Sequence, residues 1–265
     1  AQEWVRSPAQ NYGVMLWATG ETYTQYDFVS SDNGEYAGQH PKLVVSYWVP
    51  NGPLPTNTPP PTSTATRTAT PTPRPATPTA TPAPATPTAT PRPATATATS
   101  APATATATWT AEPTATPAPD GKEVVAEFQR GVDGYAGVTD SLINGWSPDA
   151  NYGAYNQLFV RSGGWMAPVL RYDLSAIPAG SSVRQATLSL YVSGSSNDYA
   201  LDMGVYALKR AWKEGEVTWN QARHGDPWGA PGAEDTGTDR SAEPAATIRL
   251  DGISRWVNLD VTALV

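Results

Sequence analysis

The stretch Thr187-Leu-Ser-Leu-Tyr-Val192 alternates residue by residue between two faces of an extended chain. Leu188, Leu190 and Val192 fall on one face, and Thr187, Ser189 and Tyr191 on the other. That period of two is the pattern of a half-buried β-strand. It is bracketed by turn-forming sequence, I-P-A-G at 177–180 and S-G-S-S-N-D at 193–198. Working outward, β-rich runs recur at 123–129, 157–161, 168–174 and 203–208. They recur again near the start of the chain, at 14–17, 22–29 and 42–48. Gly, Asn, Asp, Ser or Pro clusters separate them. Many short strands with regular turn signals predict an all-β fold, an antiparallel β-sandwich or jelly roll.

Between the two strand-bearing blocks, 1–50 and 121–265, runs a tract at 51–120 of the type T-A-T-P-T-P-R-P-A-T-P-T-A-T-P. It holds roughly two-thirds of the 27 Pro, and Leu54 and Trp109 are its large apolar residues. Such a tract cannot bury enough apolar surface to offset its conformational entropy. Alternating Pro favours extended polyproline II, so about 70 residues reach roughly 200 Å. The tract is expected to be a long extended Thr/Pro-rich linker. The two blocks together suffice for one sandwich, whereas 1–50 alone is too small for a stable core.

The two ends of the chain read as pieces of one helix. Joined, 260–265 and 1–8 give D-V-T-A-L-V-A-Q-E-W-V-R-S-P, with Asp260 at an N-cap and Val261, Leu264, Val265 and Trp4 at helical spacing. The chain boundary is therefore expected to cut a short amphipathic helix. Block 1–50 then completes the sandwich of its own 121–265 block, of a neighbouring copy, or of a flanking repeat. The tripeptide Asn-Tyr-Gly occurs at 11–13 and again at 151–153, each time ahead of a strand-like run, as a pseudo-repeat or a favoured turn.

Six motifs occur in order: G-V-D-G-Y-A-G-V-T-D (131–140), N-Y-G (151–153), P-V-L-R-Y-D-L-S-A-I-P-A-G (168–180), A-T-L-S-L-Y-V (186–192), A-W-K-E-G-E-V-T-W-N (211–220) and W-V-N-L-D-V-T (256–262). This series resembles the DNRLRE-type domain, a secreted jelly roll similar to some carbohydrate-binding modules and to disaggregatase-related repeats. The closing family motifs have counterparts in N-Y-G-V-M-L (11–16), F-V-S-S-D (28–32) and P-K-L-V-V-S-Y (41–47), at the other end of the chain. The resemblance implies a sandwich circularly split around the linker. The C-terminal strands then lie in 1–50 and the N-terminal and central strands in 121–265, in an extracellular or cell-surface setting.

A net charge of −7 argues against nucleic-acid binding. No apolar stretch approaches the length of a membrane span, and the absence of Cys removes disulfides and thiolate chemistry. The two histidines, His40 and His224, sit in turn-like contexts, and no nucleophile–base motif or phosphate-binding loop accompanies them. Carboxylate pairs such as Glu214/Glu216 and Glu234/Asp235 lie in turns. No catalytic residue is expected, and the chain reads as a non-enzyme.

Several residues suit binding. Trp146, Tyr152, Trp165 and Trp228 lie in Gly/Pro/Asn-rich loops where their rings can stack on sugars, pack on the sandwich edge or meet a neighbouring subunit. Trp212 and Trp219 read as core. No cofactor is expected beyond a structural calcium, for which Asp133, Asp140 and Asp198 supply oxygens; the same side chains also suit capping of turn amides. Thr64, Thr66, Thr68, Thr70, Thr72, Thr77, Thr79, Thr81, Thr86, Thr88 and Thr90 form an array of hydroxyls of the kind that carries covalent O-glycans, or belong to a bare spacer. Leu43, Val45 and Tyr47 are the alternating apolar positions of an inter-subunit strand, with donation from copy to copy head-to-tail. These features point to an extracellular structural protein of fibres or bead-on-stalk arrays. The alternative is a carbohydrate-binding surface module in a tandem-repeat protein.

Overall fold

In chain order the strands are β1 (Val14–Thr19), β2 (Gln25–Val29), β3 (Lys42–Pro50), β4 (Gly121–Gln129), β5 (Val138–Asn144), β6 (Gln157–Arg161), β7 (Met166–Tyr172), β8 (Ser182–Ser195), β9 (Leu201–Ala207), β10 (Gln221–Arg223), β11 (Asp226–Pro227), β12 (Ala246–Leu250) and β13 (Arg255–Asp260). Among the described residues the one α-helix, α1, spans Glu3–Arg6, and five further segments are short 3-10 turns. This is a computed structural model, and it describes residues 3–20, 23–51 and 121–265, which fall in one compact unit. The linker from 52 to 120, with its candidate glycosylation threonines, lies outside the described residues.

The alternating run 187–192 is the middle of β8, and its apolar face is buried as the period of two predicts; Ser189 on the other face is buried as well, its hydroxyl donating to the Asn258 side chain at 2.7 Å. Leu188, Leu190 and Val192 are buried in the main core. β8 is the long spine of one layer. It pairs with β13 along one edge, and along the other with β3 and then β2, whose outer neighbours are β4 and β6. The second layer runs β5-β7-β1-β9-β12. One β6–β7 pair, Arg161 with Met166, joins the layers into a curled antiparallel sheet. Leu43, Val45, Leu188 and Leu259 from one layer meet Val14, Leu16, Leu170 and Val205 from the other, which closes the β-sandwich.

β1, β5 and β7 are buried on both faces. Their inward residues join the main core. On the outer face Met15, Ile143, Ala167 and Val169 are covered by a long excursion that contributes Leu208, Trp212, Val217, Ala222, Trp228 and Ala233. Doubly buried strands read as continuous apolar runs, as in V-M-L-W-A, because no face is left for polar residues. Asp239 holds the excursion in place. Its carboxylate accepts the amides of Gly229 and Ala230 at 2.9 and 3.0 Å and an Arg210 nitrogen at 3.3 Å. Burial alone pushes such a carboxyl up, but these donors outweigh it and hold Asp239 below its ordinary range.

Block 3–50 lies within this sandwich in the same chain. Each β-pairing of β1, β2 and β3 is with a strand from 121–265. Leu43, Val45 and Tyr47 are inward positions of β3 and fill the main core. Pro50 and Gly121, between which the linker runs, are register partners in the β3–β4 pair. The residues read as one split helix are also neighbours. Asp260 accepts the amide of Thr262 at 2.9 Å, the turn continues through Leu264, and the amide of Val5 in α1 reaches the Val265 carbonyl at 3.5 Å. Trp4, Val5, Val261 and Val265 are all buried.

Candidate functional site

One end of the sandwich gathers the exposed aromatic residues. The register places Thr19 opposite Asp202, Gln25 opposite Arg161, and Tyr26 opposite Ser195 at the end of β8. The loops that follow β1, β5, β6, β8 and β12 therefore begin at the same tip. Two of them present indoles. Trp146 follows β5 and is 55% exposed, and Trp165 precedes β7 and is 50% exposed. With Gly20, Tyr23, Arg161 and Gly163 they line a hollow of about 680 Å³.

Local sequence sets these two rings. Asn144 ends β5, and its side-chain oxygen accepts the Trp146 amide at 2.9 Å while its side-chain nitrogen donates to the Tyr152 hydroxyl at 3.3 Å. Gly145 donates its amide to the Trp165 carbonyl at 2.9 Å, and a Cβ there would lie 2.9 Å from the Trp165 ring. Gly145 is thus required for the two loops to meet. The β6–β7 turn needs left-handed backbone at Gly163 and Gly164, and a side chain at Gly164 would strike the ring of Trp17. Arg161 points outward from β6, and its guanidinium sits 4.7 Å from the centre of the Trp146 ring, a cation–π contact that steadies the indole. Among the described residues Arg161 is the charged side chain lining the hollow.

The four aromatics singled out in the sequence therefore separate. Trp146 and Trp165 come together. Tyr152 is half-buried beside them, edge-on to Tyr155. Trp228 does not join them: it is 5% exposed, with its indole N–H given to the Thr218 carbonyl at 3.0 Å. Its Gly/Pro-rich flanks suggested a surface loop, but that loop folds back onto the outer face of the sheet. Trp212 is core, as expected, and Trp219 packs against the outer cluster. Arg161 was not singled out, and Tyr23, an apolar residue expected to be buried with the 1–50 strands, is instead 81% exposed. The outward phase of Arg161 in β6 was readable, but its partner is contributed by another loop.

The oxygen ligands separate in the same way. Asp133 and Asp198 are exposed and apart from Asp140. Asp140 is buried, and its oxygens accept the Ser30 hydroxyl at 2.8 Å and the Ser31 amide at 2.7 Å. Asp32 and Glu214 bring carboxylate oxygens to within 4.8 Å of it, close enough for the three to share a cation. Burial pushes Asp140 and Glu214 above their ordinary ranges. Arg130 pairs with Asp32 at 2.6 Å. His40 is structural, its ring nitrogens lying 3.3 and 2.7 Å from the Arg130 and Asn33 carbonyls.

Among the described residues no helix is long and apolar enough to cross a membrane. Neither the curated proteins nor the solved structures give a match to this chain. Residues 134–265 do match a family model, that of carbohydrate-binding module family 96. The matched segment carries β5 to β13 and with them Trp146, Arg161 and Trp165; β1 to β4 lie outside it. The region from 134 to 265 is thus similar to a carbohydrate-binding module.

Proposed function

We propose that this protein binds polysaccharide, without catalysis, through the tip formed by Trp146, Trp165, Tyr23 and Arg161. The observation that carries the reading is the pair of half-exposed indoles converging on one hollow within the segment matched by the family model. Indole faces stack on the C–H faces of pyranose rings, and Arg161 adds hydrogen-bond donors for ring substituents. A single positive charge suits neutral or acidic sugars over cationic ones. The setting is extracellular, with the linker threonines carrying O-glycans that stiffen and shield the tether. Affinity electrophoresis through gels containing mixed-linkage β-glucan, xylan, galactomannan or polygalacturonate tests the reading. At least one polymer should retard the protein, and W146A together with W165A should abolish the retardation. Mobility unchanged in every gel, or retardation that survives both substitutions, refutes it.

A second reading concerns self-assembly and is favoured by a separate observation. Because β1, β2 and β3 pair only with strands from 121–265, the same contacts can form between copies, with 1–50 of one chain completing the 121–265 sandwich of the next. Passed on head-to-tail, that exchange builds a fibre. Electron micrographs of purified protein without ligand should then show filaments. A strictly monomeric preparation at high concentration refutes this reading.

A further inference from the structure

Beyond the hollow, the tip carries a second exposed aromatic position. Tyr199, 65% exposed, stands on the loop between β8 and β9, and Ile253, also exposed, on the loop between β12 and β13. The first of these loops is tied to the start of β2, the strand that Tyr23 precedes. The Ser196 amide donates to the Gln25 carbonyl at 3.0 Å, and the Thr24 hydroxyl donates to the Asn197 side-chain oxygen at 3.1 Å. The Tyr26 hydroxyl donates to the Tyr199 carbonyl at 3.1 Å. Tyr23 itself has a φ of 49°, a left-handed conformation that a bulky residue seldom adopts, and its ring is almost fully exposed. Such an outlier at a tip of exposed rings is a pointer to binding.

The register fixes the spacing. β6, β2 and β8 are consecutive strands, so from Val160 across Tyr26 to Ser195, at the Arg161 end of β6, is two inter-strand steps, about 10 Å. Trp165 follows the Arg161 end of β6 and Trp146 stacks on Arg161, Tyr23 precedes the middle strand, and Tyr199 follows the Ser195 end of β8. A row of this length exceeds a single sugar ring. We infer that the site is an extended one in which Tyr199 forms a second stacking subsite, so that the protein takes an internal stretch of polysaccharide and not a lone sugar or chain end. The inference rests on the polysaccharide reading given above.

The test is titration calorimetry with a ladder of di- to hexasaccharides cut from whichever gel polymer retards the protein. The hexasaccharide should bind at least tenfold more tightly than the disaccharide. Y199A should remove most of that gain, about a tenfold loss or ~1.4 kcal/mol, and leave the disaccharide unaffected. W146A should weaken both. Tyr199 is exposed and its backbone carbonyl makes the contact to Tyr26, so the alanine variant should fold, which its thermal midpoint will verify. Affinity independent of chain length, or a Y199A protein that binds hexasaccharide like the parent, overturns the extended site while leaving the Trp146 site standing. If W146A also binds unchanged, the polysaccharide reading itself has failed.

Discussion

Separating the two blocks should unfold the protein. Block 3–50 places Val14, Leu16, Tyr26, Phe28, Leu43, Val45 and Tyr47 in the main core, each 6% exposed or less. At about 1.5–3 kcal/mol per buried side chain they contribute roughly 10–20 kcal/mol. Residual burial in the unfolded chain lowers that by about 10–40%. What remains still matches or exceeds the roughly 5–15 kcal/mol net stability of an ordinary domain. Removal also strips β8 of β2 and β3 and leaves β9 without β1 between it and β7. A 121–265 fragment is therefore expected to show no cooperative thermal transition by circular dichroism and poor amide dispersion by NMR. Adding the 1–50 peptide in excess should restore both. A 121–265 fragment that melts cooperatively on its own would refute the reasoning. That outcome would also mean that the family-matched region folds without β1, β2 and β3.

Three further outcomes follow from particular contacts. W228A removes a buried ring from the outer cluster and should cost about 3–5 kcal/mol by urea unfolding, with polysaccharide retardation of the folded protein unchanged; lost retardation at full folding would place Trp228 in the site. D239N replaces a carboxylate that accepts two amides and Arg210 and should cost about 2–3 kcal/mol at pH 7. Because the folded-state pKa of Asp239 is depressed, its contribution is complete above its unfolded value near ~4 and is lost as pH falls through the lower folded value. The gap between parent and D239N in urea unfolding should narrow from pH 7 to pH 3, and a constant gap would contradict the assignment. N11A and N151A should each cost about 1–2 kcal/mol, since each Asn accepts the amide two residues on at 3.2 Å and donates to distant carbonyls, Asn11 to Tyr172 and Asn151 to Glu214 and Val217; an unchanged calorimetric midpoint in either variant would deny the role.

The sandwich was legible where one face of a strand is solvated. β8, β3 and β6 carry alternating patterns, and the predicted runs at 42–48 and 157–161 fall within strands that bury every second residue. β5 was missed because six of its seven residues are buried, so V-T-D-S-L-I-N has no alternation to read. β12 escaped because its Ala246–Leu250 run is short and interrupted by Arg249. The repeated Asn-Tyr-Gly was a true structural signal. At both copies Asn closes a turn onto the Gly amide, and at both a Cβ on the Gly would strike a backbone carbonyl, that of Leu170 or of Glu214. The site was half legible. Loop composition located Trp146 and Trp165, but the same composition surrounds the buried Trp228. Nothing local in sequence tells a loop that stands at the tip from one that folds back over a sheet. Likewise Asp140 was marked as an oxygen donor, while its neighbours Asp32 and Glu214 come from distant loops that only the topology brings together.

The geometry of β8 relates the tip to the tether. β8 is 14 residues long, about 45 Å of extended chain. Its C-terminal end, Ser195, lies at the tip beside Tyr26, while its N-terminal end, Ser182, faces Trp48 of β3, two residues before Pro50. Pro50 and Gly121 thus mark the end of the sandwich opposite the exposed rings, and the 51–120 tract both leaves and re-enters there. The same adjacency makes the route of the tether immaterial to the sandwich. Whether 1–50 and 121–265 come from one chain or from two, Pro50 and Gly121 emerge side by side, and the tip on which Trp146 and Trp165 stand is assembled from both blocks. Tyr23 comes from one block and the two indoles from the other. A complete hollow therefore requires the pairing of the blocks, and a ligand bound there would report that pairing from the far end of the sandwich.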